Sequence, residues 1–266
     1  MNHLIFSQLF SINFLSLTVF GIFSFAQVVT AETHLYKMGE SEAVGYLAQP
    51  KKISGKVPAV LIVHDWMGVS DFTSKKAEQI AELGYIALAA DIYGKGVRPK
   101  DAKEASVLAG KYKADRAELR RRVRAAYDEL KSMKNVDVKK IVVIGYCFGG
   151  TTALELARAG VELAGAVSFH GGLSNPTPAD AKNIRGRALI MHGAIDPFVP
   201  ADEVLAFQKE MNEAGIDYQF ISYSGAVHAF AVPSAGSDPK SGAAYNAVAD
   251  QRSWSEFKNF MREVTQ

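Results

Sequence analysis

The residues best suited to do chemistry are one cysteine, one aspartate and one histidine. Cys147 is the only cysteine in the chain. It sits in Gly145-Tyr146-Cys147-Phe148-Gly149-Gly150, directly after the apolar run Ile141-Val142-Val143-Ile144. A lone cysteine is either a small buried hydrophobe or a reactive thiol, and here the neighbours decide for the thiol. The segment reads as G-x-S-x-G with cysteine in place of serine, a sharp strand-to-helix turn that projects its central side chain. Glycine is needed two places on either side, because side chains there would meet the adjoining strand and helix. The turn also sets the sulfur at a helix N-terminus, which favours an anion, and the thiolate is the form that attacks.

Such a nucleophile needs a base, and the base needs an orienting acid. Asp196 lies in His192-Gly193-Ala194-Ile195-Asp196-Pro197, after the apolar run that ends at His192. His228 lies in Gly225-Ala226-Val227-His228-Ala229-Phe230, after the run Tyr218 to Tyr223. Alone, Asp-Pro is a common turn and a loop histidine is ordinary surface. Together with Cys147 they follow the order nucleophile, acid, base. Each also falls just past the C-terminal end of a predicted strand, the edge where open parallel sheets bind ligands. The chemistry this predicts is acyl transfer: His228 draws the Cys147 proton and Asp196 fixes the imidazole tautomer. The developing oxyanion needs two N–H donors, expected from Phe148 and from Trp66 in His64-Asp65-Trp66-Met67-Gly68.

The elements that must position these groups alternate along the chain. Thr33–Lys37 and Ala43–Ala48 predict an opening hairpin. Val57–His64, Tyr85–Ala90, Lys140–Gly145, Ala164–Ser168, Arg187–His192 and Tyr218–Tyr223 predict buried strands. Between them run helical segments: one capped by Asp71 with Ala77, Ile80, Ala81 and Leu83 inward, then Ala102–Lys111, Ala114–Met133, Gly149–Ala159 and Ala201–Ala214. A closing helix falls within Ala243–Val264, with Trp254, Phe257 and Met261 inward. This rhythm means an α/β fold with a mostly parallel central sheet and helices on both faces. Gly94–Pro99 and Ala231–Ser241 read as long loops that border the site.

Composition excludes several classes. The formal net charge of the 266 residues is +2, too small for a nucleic-acid partner unless it is concentrated. The densest basic run, Arg116 to Arg124, is interleaved with Leu119, Val123, Ala126, Tyr127, Leu130 and Met133 at helical spacing. That marks an amphipathic helix whose arginines fall on a solvated face, with Asp128 and Glu129 nearby. His64, His170 and His192 are not paired at i, i+4, so they are read as shaping the pocket or satisfying loop backbone, not as metal ligands. No metal or cofactor is expected.

Residues 1–31 differ from the rest. They hold no Lys, Arg, Asp or Glu and end in Val29-Thr30-Ala31, the small-residue pattern of an export signal cut after Ala31. The n-region offers only the α-amino group and His3, and the apolar stretch Leu4 to Ala26 exceeds the usual ~7–15 residues. Its length would let it serve as an uncleaved anchor, but Ser7, Gln8, Ser11 and Asn13 make a poor membrane helix. The expectation is therefore a signal over 1–31 and one exported domain over 32–266, periplasmic or secreted, with no stable membrane association once the signal is cut.

The chain resembles the dienelactone hydrolase family across that domain. The resemblance is carried by His64-Asp65-Trp66-Met67-Gly68, Asp91-Ile92-Tyr93-Gly94, Gly145-Tyr146-Cys147-Phe148-Gly149-Gly150, Phe169-His170-Gly171-Gly172, His192-Gly193-Ala194-Ile195-Asp196-Pro197 and His228-Ala229-Phe230. It implies the α/β-hydrolase fold, a triad at Cys147, Asp196 and His228, no cofactor, and a small-molecule ester or lactone as substrate. It also implies that Asp65, where the family commonly has Glu, contacts the resting thiol and moderates its reactivity. Members that cleave dienelactone hold the substrate carboxylate with arginines, one of them four residues after the catalytic histidine. Val232 occupies that position here. Arg98 remains as a candidate cation, with Tyr93 and His170 as further candidate substrate contacts. A different ester, lactone or thioester therefore fits as well as dienelactone. The rival readings are a broad carboxylesterase or thioesterase, and a redox-sensing or binding protein whose thiol does not turn over.

Overall fold

The computed structural model describes residues 27–266. The opening hairpin is longer than its sequence signal: β1 (Val29–Met38) pairs antiparallel with β2 (Ser41–Pro50) along its whole length. β1 is an edge strand with mostly exposed residues, so it carries little apolar alternation to read. Most of the expected export signal lies outside the described residues. Its expected cut after Ala31 falls inside β1, where Val29, Thr30 and Ala31 pair with Pro50, Gln49 and Ala48.

The remaining strands are β3 (Val57–Val63), β4 (Ile86–Ala90), β5 (Val136–Tyr146), β6 (Gly165–Phe169), β7 (Arg187–Gly193) and β8 (Tyr218–Tyr223). They form an eight-stranded sheet in the order β1-β2-β4-β3-β5-β6-β7-β8. β2 runs antiparallel to β4, and every neighbour pair from β4 across to β8 is parallel. Parallel strands buried on both faces need apolar side chains in both directions, and alternate residues separate accordingly. Ala59, Leu61 and Val63 of β3, with Ile141 and Val143 of β5, join one core. Val60, Ile62, Val142 and Ile144 join the other.

Helices α2 (Ala102–Ala114), α3 (Arg116–Ser132), α4 (Phe148–Arg158) and α5 (Ala201–Glu213) cover the first face, through residues such as Tyr112, Val123, Leu154 and Phe207. Helices α1 (Asp71–Glu82) and α6 (Ala247–Thr265) cover the second, through Ile80 and Phe257. Two local expectations need correction. Ser70, not Asp71, is the N-cap residue of α1, and its N–H donates to Thr73 Oγ1 at 2.9 Å. Leu83 is 43% exposed, because the helix has ended and the chain turns there.

The arginine-rich helix is also less solvated than its sequence suggests. Arg121 and Arg124 are half-exposed, but Arg116, Arg120 and Arg122 keep only 14%, 23% and 16% of their side-chain surface. Arg120 bonds the buried Glu155 at 2.8 Å and Asp180 at 2.7 Å. Glu155 also meets Arg158, which pairs with Glu210 at 2.9 Å. Arg120 with Glu155 and Asp180, and Arg158 with Glu210, join residues far apart in sequence, so helical periodicity alone could not assign them.

Candidate active site

The turn between β5 and α4 holds Cys147 with φ 54° and ψ −115°, a left-handed backbone that costs a non-glycine residue of order 1–3 kcal/mol. The surroundings over-determine it. Cys147 N–H donates to Phe169 O at 3.0 Å, and Gly150 N–H to Cys147 O at 2.9 Å. A Cβ on Gly145 would overlap the Gly149 carbonyl, one on Gly149 would overlap the carbonyls of Val63 and His64, and one on Gly150 would strike Ser168 and Gly171. Only hydrogen fits at these positions, so the turn can be this tight and the sulfur is presented above the sheet.

Two loops bring the other groups to the sulfur. After β7, Asp196 N–H bonds Gly193 O at 3.0 Å, and Asp196 Oδ1 accepts the Phe198 N–H at 2.8 Å. After β8, His228 N–H bonds Gly242 O at 3.1 Å and Ala244 N–H bonds His228 O at 3.0 Å. The following Ala229 has φ 57°. The result is an unbroken chain: Cys147 Sγ lies 3.0 Å from His228 Nε2, and His228 Nδ1 lies 2.8 Å from Asp196 Oδ2. The Asp196 side chain is fully buried and that of His228 only 13% exposed. Burial by itself would lower the His228 pKa. The neighbouring Cys147 sulfur and the Asp196 carboxyl group outweigh it and push the imidazole up to about 10. An imidazolium held between the sulfur and the carboxyl group is the form this geometry stabilises.

The loop after β3 has its own fastening. His64 is fully buried; its Nε2 accepts the Ile92 N–H at 3.1 Å, so Nδ1 carries the proton and donates to Asp65 O at 2.5 Å. Burial depresses its pKa to about 4, in keeping with a neutral ring. The peptide between Trp66 and Met67 is gripped from both sides. Tyr93 Oη donates to Trp66 O at 2.9 Å, and Met67 N–H donates to Asp65 Oδ1 at 2.8 Å. Neither Trp66 N–H nor Phe148 N–H has an acceptor among the described residues. The His64 and Tyr93 rings lie 5.9 and 5.6 Å from the Phe148 ring, so this loop stands over the start of α4.

The structure places four sequence candidates differently from their expected contacts. Asp65 spends Oδ1 on Met67, and the thiol faces His228 instead of Asp65. Tyr93, 2% exposed, is a strut beneath the loop and not an open substrate contact. His170 is fully buried with φ 41°, and its ring stands edge-on to His228 at 5.3 Å. It walls the His228 imidazole from behind and is closed off from solvent. Arg98 turns its guanidinium to Asp91 at 3.1 Å and to the carbonyls of Gly94, Val97 and Val44. Its charge is spent on holding the loops together.

Two features went unread in the sequence. Arg122 Nη1 donates to Ile92 O at 2.9 Å and Tyr93 O at 3.1 Å, tying α3 to the strut. Phe198 stands edge-on to His228 with ring centroids 5.5 Å apart. Its position two residues after Asp196 was the only available signal. Among the described residues, no group of three or more His, Cys, Asp or Glu is arranged to hold a metal ion.

Comparison with known proteins agrees with this architecture. The model of the dienelactone hydrolase family matches residues 44–265. The solved structure of m3DLH is 38% identical, with a TM-score of 0.86 over 90% of this chain and 99% of that one. A dienelactone hydrolase-like promiscuous phosphotriesterase from metagenomic libraries is also 38% identical, with a TM-score of 0.85 over the same shares. A protein of Aquifex aeolicus (strain VF5), provisionally named carboxymethylenebutenolidase, is 32% identical over 190 residues, 70% of this chain and 80% of its own length. On the match of the family model over most of its length, this chain belongs to the dienelactone hydrolase family.

Proposed function

We propose that the protein hydrolyses a carboxylic ester or lactone through a thioacyl-enzyme on Cys147. The observation that carries this reading is the continuous path from Cys147 Sγ through the His228 ring to the buried Asp196, at 3.0 and 2.8 Å. The thiolate attacks the carbonyl carbon and a C–S bond forms. The carbonyl electron pair moves onto oxygen, where Trp66 N–H and Phe148 N–H receive it. The tetrahedral adduct collapses, the C–O bond breaks, and His228 gives its proton to the departing alkoxide. In a lactone that alcohol remains tethered to the acyl group.

Once the sulfur is acylated it no longer bears charge, and a main support of the high His228 pKa is gone. The imidazole is then neutral and takes a proton from water as the water attacks the thioester. Collapse returns the thiolate and releases the acid. Asp196 holds the Nδ1 proton in place throughout. The charge lost on acylation therefore converts one histidine from acid to base.

The test is steady-state hydrolysis of a small activated ester, with and without stoichiometric iodoacetamide, beside Cys147→Ala. Loss of turnover in both is expected, and turnover surviving in Cys147→Ala sinks the mechanism. A second reading is phosphotriester cleavage at the same thiol, favoured by the 38% identical promiscuous phosphotriesterase; an aryl phosphotriester assayed in parallel tests it. We further propose that the protein is exported and processed after Ala31. N-terminal sequencing of material from an exporting host should begin at Glu32, and an intact Met1 would refute it.

A further inference from the structure

The mouth of the site is framed by apolar side chains left in solvent. Trp66, Ile195 and Phe198 are 37%, 58% and 59% exposed, and all three lie on loops that carry catalytic or oxyanion groups. Phe198 is a built wall. Its N–H is held by Asp196 Oδ1, its ring stands edge-on to His228, and a Cβ on Gly242 would come within 3.2 Å of that ring. Ile195 is fixed by its N–H bond to Ala226 O at 3.1 Å. Apolar surface held rigidly beside a reactive group serves to grip an apolar ligand.

The charges around the mouth point the same way. Asp65 and Asp196 bring two carboxyl groups to the site, and the His228 imidazolium is held between Asp196 and Cys147. The arginines behind the loops are engaged elsewhere: Arg98 with Asp91, Arg122 with the Ile92 and Tyr93 carbonyls, Arg116 Nη2 with Ser174. A substrate carboxylate would therefore meet these two carboxyl groups with none of these arginines turned towards it. Phe198 flanks His228, which delivers the proton to the leaving oxygen, so the alcohol portion lies on the Phe198 side.

We propose that the substrate is an electrically neutral ester or lactone whose alcohol portion is apolar and packs against Phe198 and Ile195. This inference rests on the cysteine-hydrolase reading above. The test uses p-nitrophenyl butyrate against the mono-p-nitrophenyl ester of glutaric acid, which share a leaving group and differ in acyl charge. The butyrate ester should show kcat/KM at least ~10-fold higher at low salt, the gap narrowing as salt screens the repulsion. Phe198→Ala should cost about tenfold in kcat/KM with phenyl butyrate, the scale of one lost apolar contact, and under ~3-fold with methyl butyrate. Equal or better turnover of the glutarate ester overturns the inference alone, as does an equal loss on both butyrates. No turnover of any of these esters overturns the hydrolase reading and this inference with it.

Discussion

Replacing Tyr93 by Phe removes one oxygen atom and tests whether the loop after β3 is held for catalysis. Tyr93 Oη is the donor that pins Trp66 O at 2.9 Å, and the ring is already packed at 4.7 Å from His64 and 5.7 Å from Tyr112. Phenylalanine keeps the packing, so the stability loss should be that of one hydrogen bond, about 1 kcal/mol. The catalytic loss should be larger. The freed peptide adjoins Trp66, whose N–H is a proposed oxyanion donor, and deleting such a donor outright costs about 3–4 kcal/mol. Asp65 Oδ1 still grips the far side of that peptide, so the donor is loosened and not lost. The expected result is a fall in kcat of ~10-fold to 100-fold with little change in KM, since the lost contact is strongest in the transition state. The control is alkylation of Cys147 by iodoacetamide, which forms a C–S bond at a saturated carbon and develops no oxyanion. Its rate should be unchanged. Unchanged ester hydrolysis would show that the strut is dispensable. A parallel fall in alkylation would place the defect at the thiol and refute the reasoning.

Asp196→Asn should preserve the fold yet lower kcat by ~10³-fold to 10⁴-fold, because an amide no longer selects the productive tautomer or stabilises the imidazolium; a loss under tenfold in steady-state assays would contradict the assigned role. Gly149→Ala should abolish soluble expression or lower stability by at least ~3 kcal/mol, since its Cβ meets two backbone carbonyls that cannot withdraw; a melting temperature near wild type would refute that. Stability should also fall in acid. An unfolded histidine binds its proton near pH 6.5, whereas buried His64 resists until about 4, so the unfolded chain binds more protons in that window. The His64 contribution is full above pH 6.5 and is lost towards pH 4, by up to about 3 kcal/mol. Fully buried His170, also lowered by burial, acts in the same direction. Urea denaturation across pH 4–7 checks the sign, and a stability that is flat or rises on acidification would overturn it.

The sequence by itself determined the parts governed by local rules. Apolar runs of strand length, helical stripes and glycine spacing in Gly145-Tyr146-Cys147-Phe148-Gly149-Gly150 follow from periodicity and sterics, which act over a few residues. Cys147, Asp196 and His228 were legible for the same reason: each follows a strand signal, and chain order does not depend on distance. Tertiary structure decided the groups whose partners lie far along the chain. Arg120 reads as solvated until Glu155 and Asp180 are folded against it. Arg98 reads as a free cation until Asp91 and three carbonyls claim it. His170 reads as a pocket residue until burial removes it from solvent, and Tyr93 as a substrate contact until its hydroxyl reaches Trp66. A polar side chain's role is set by which partner completes its hydrogen bonds once water is excluded, and that partner is chosen by the packing of whole elements, which no local pattern records.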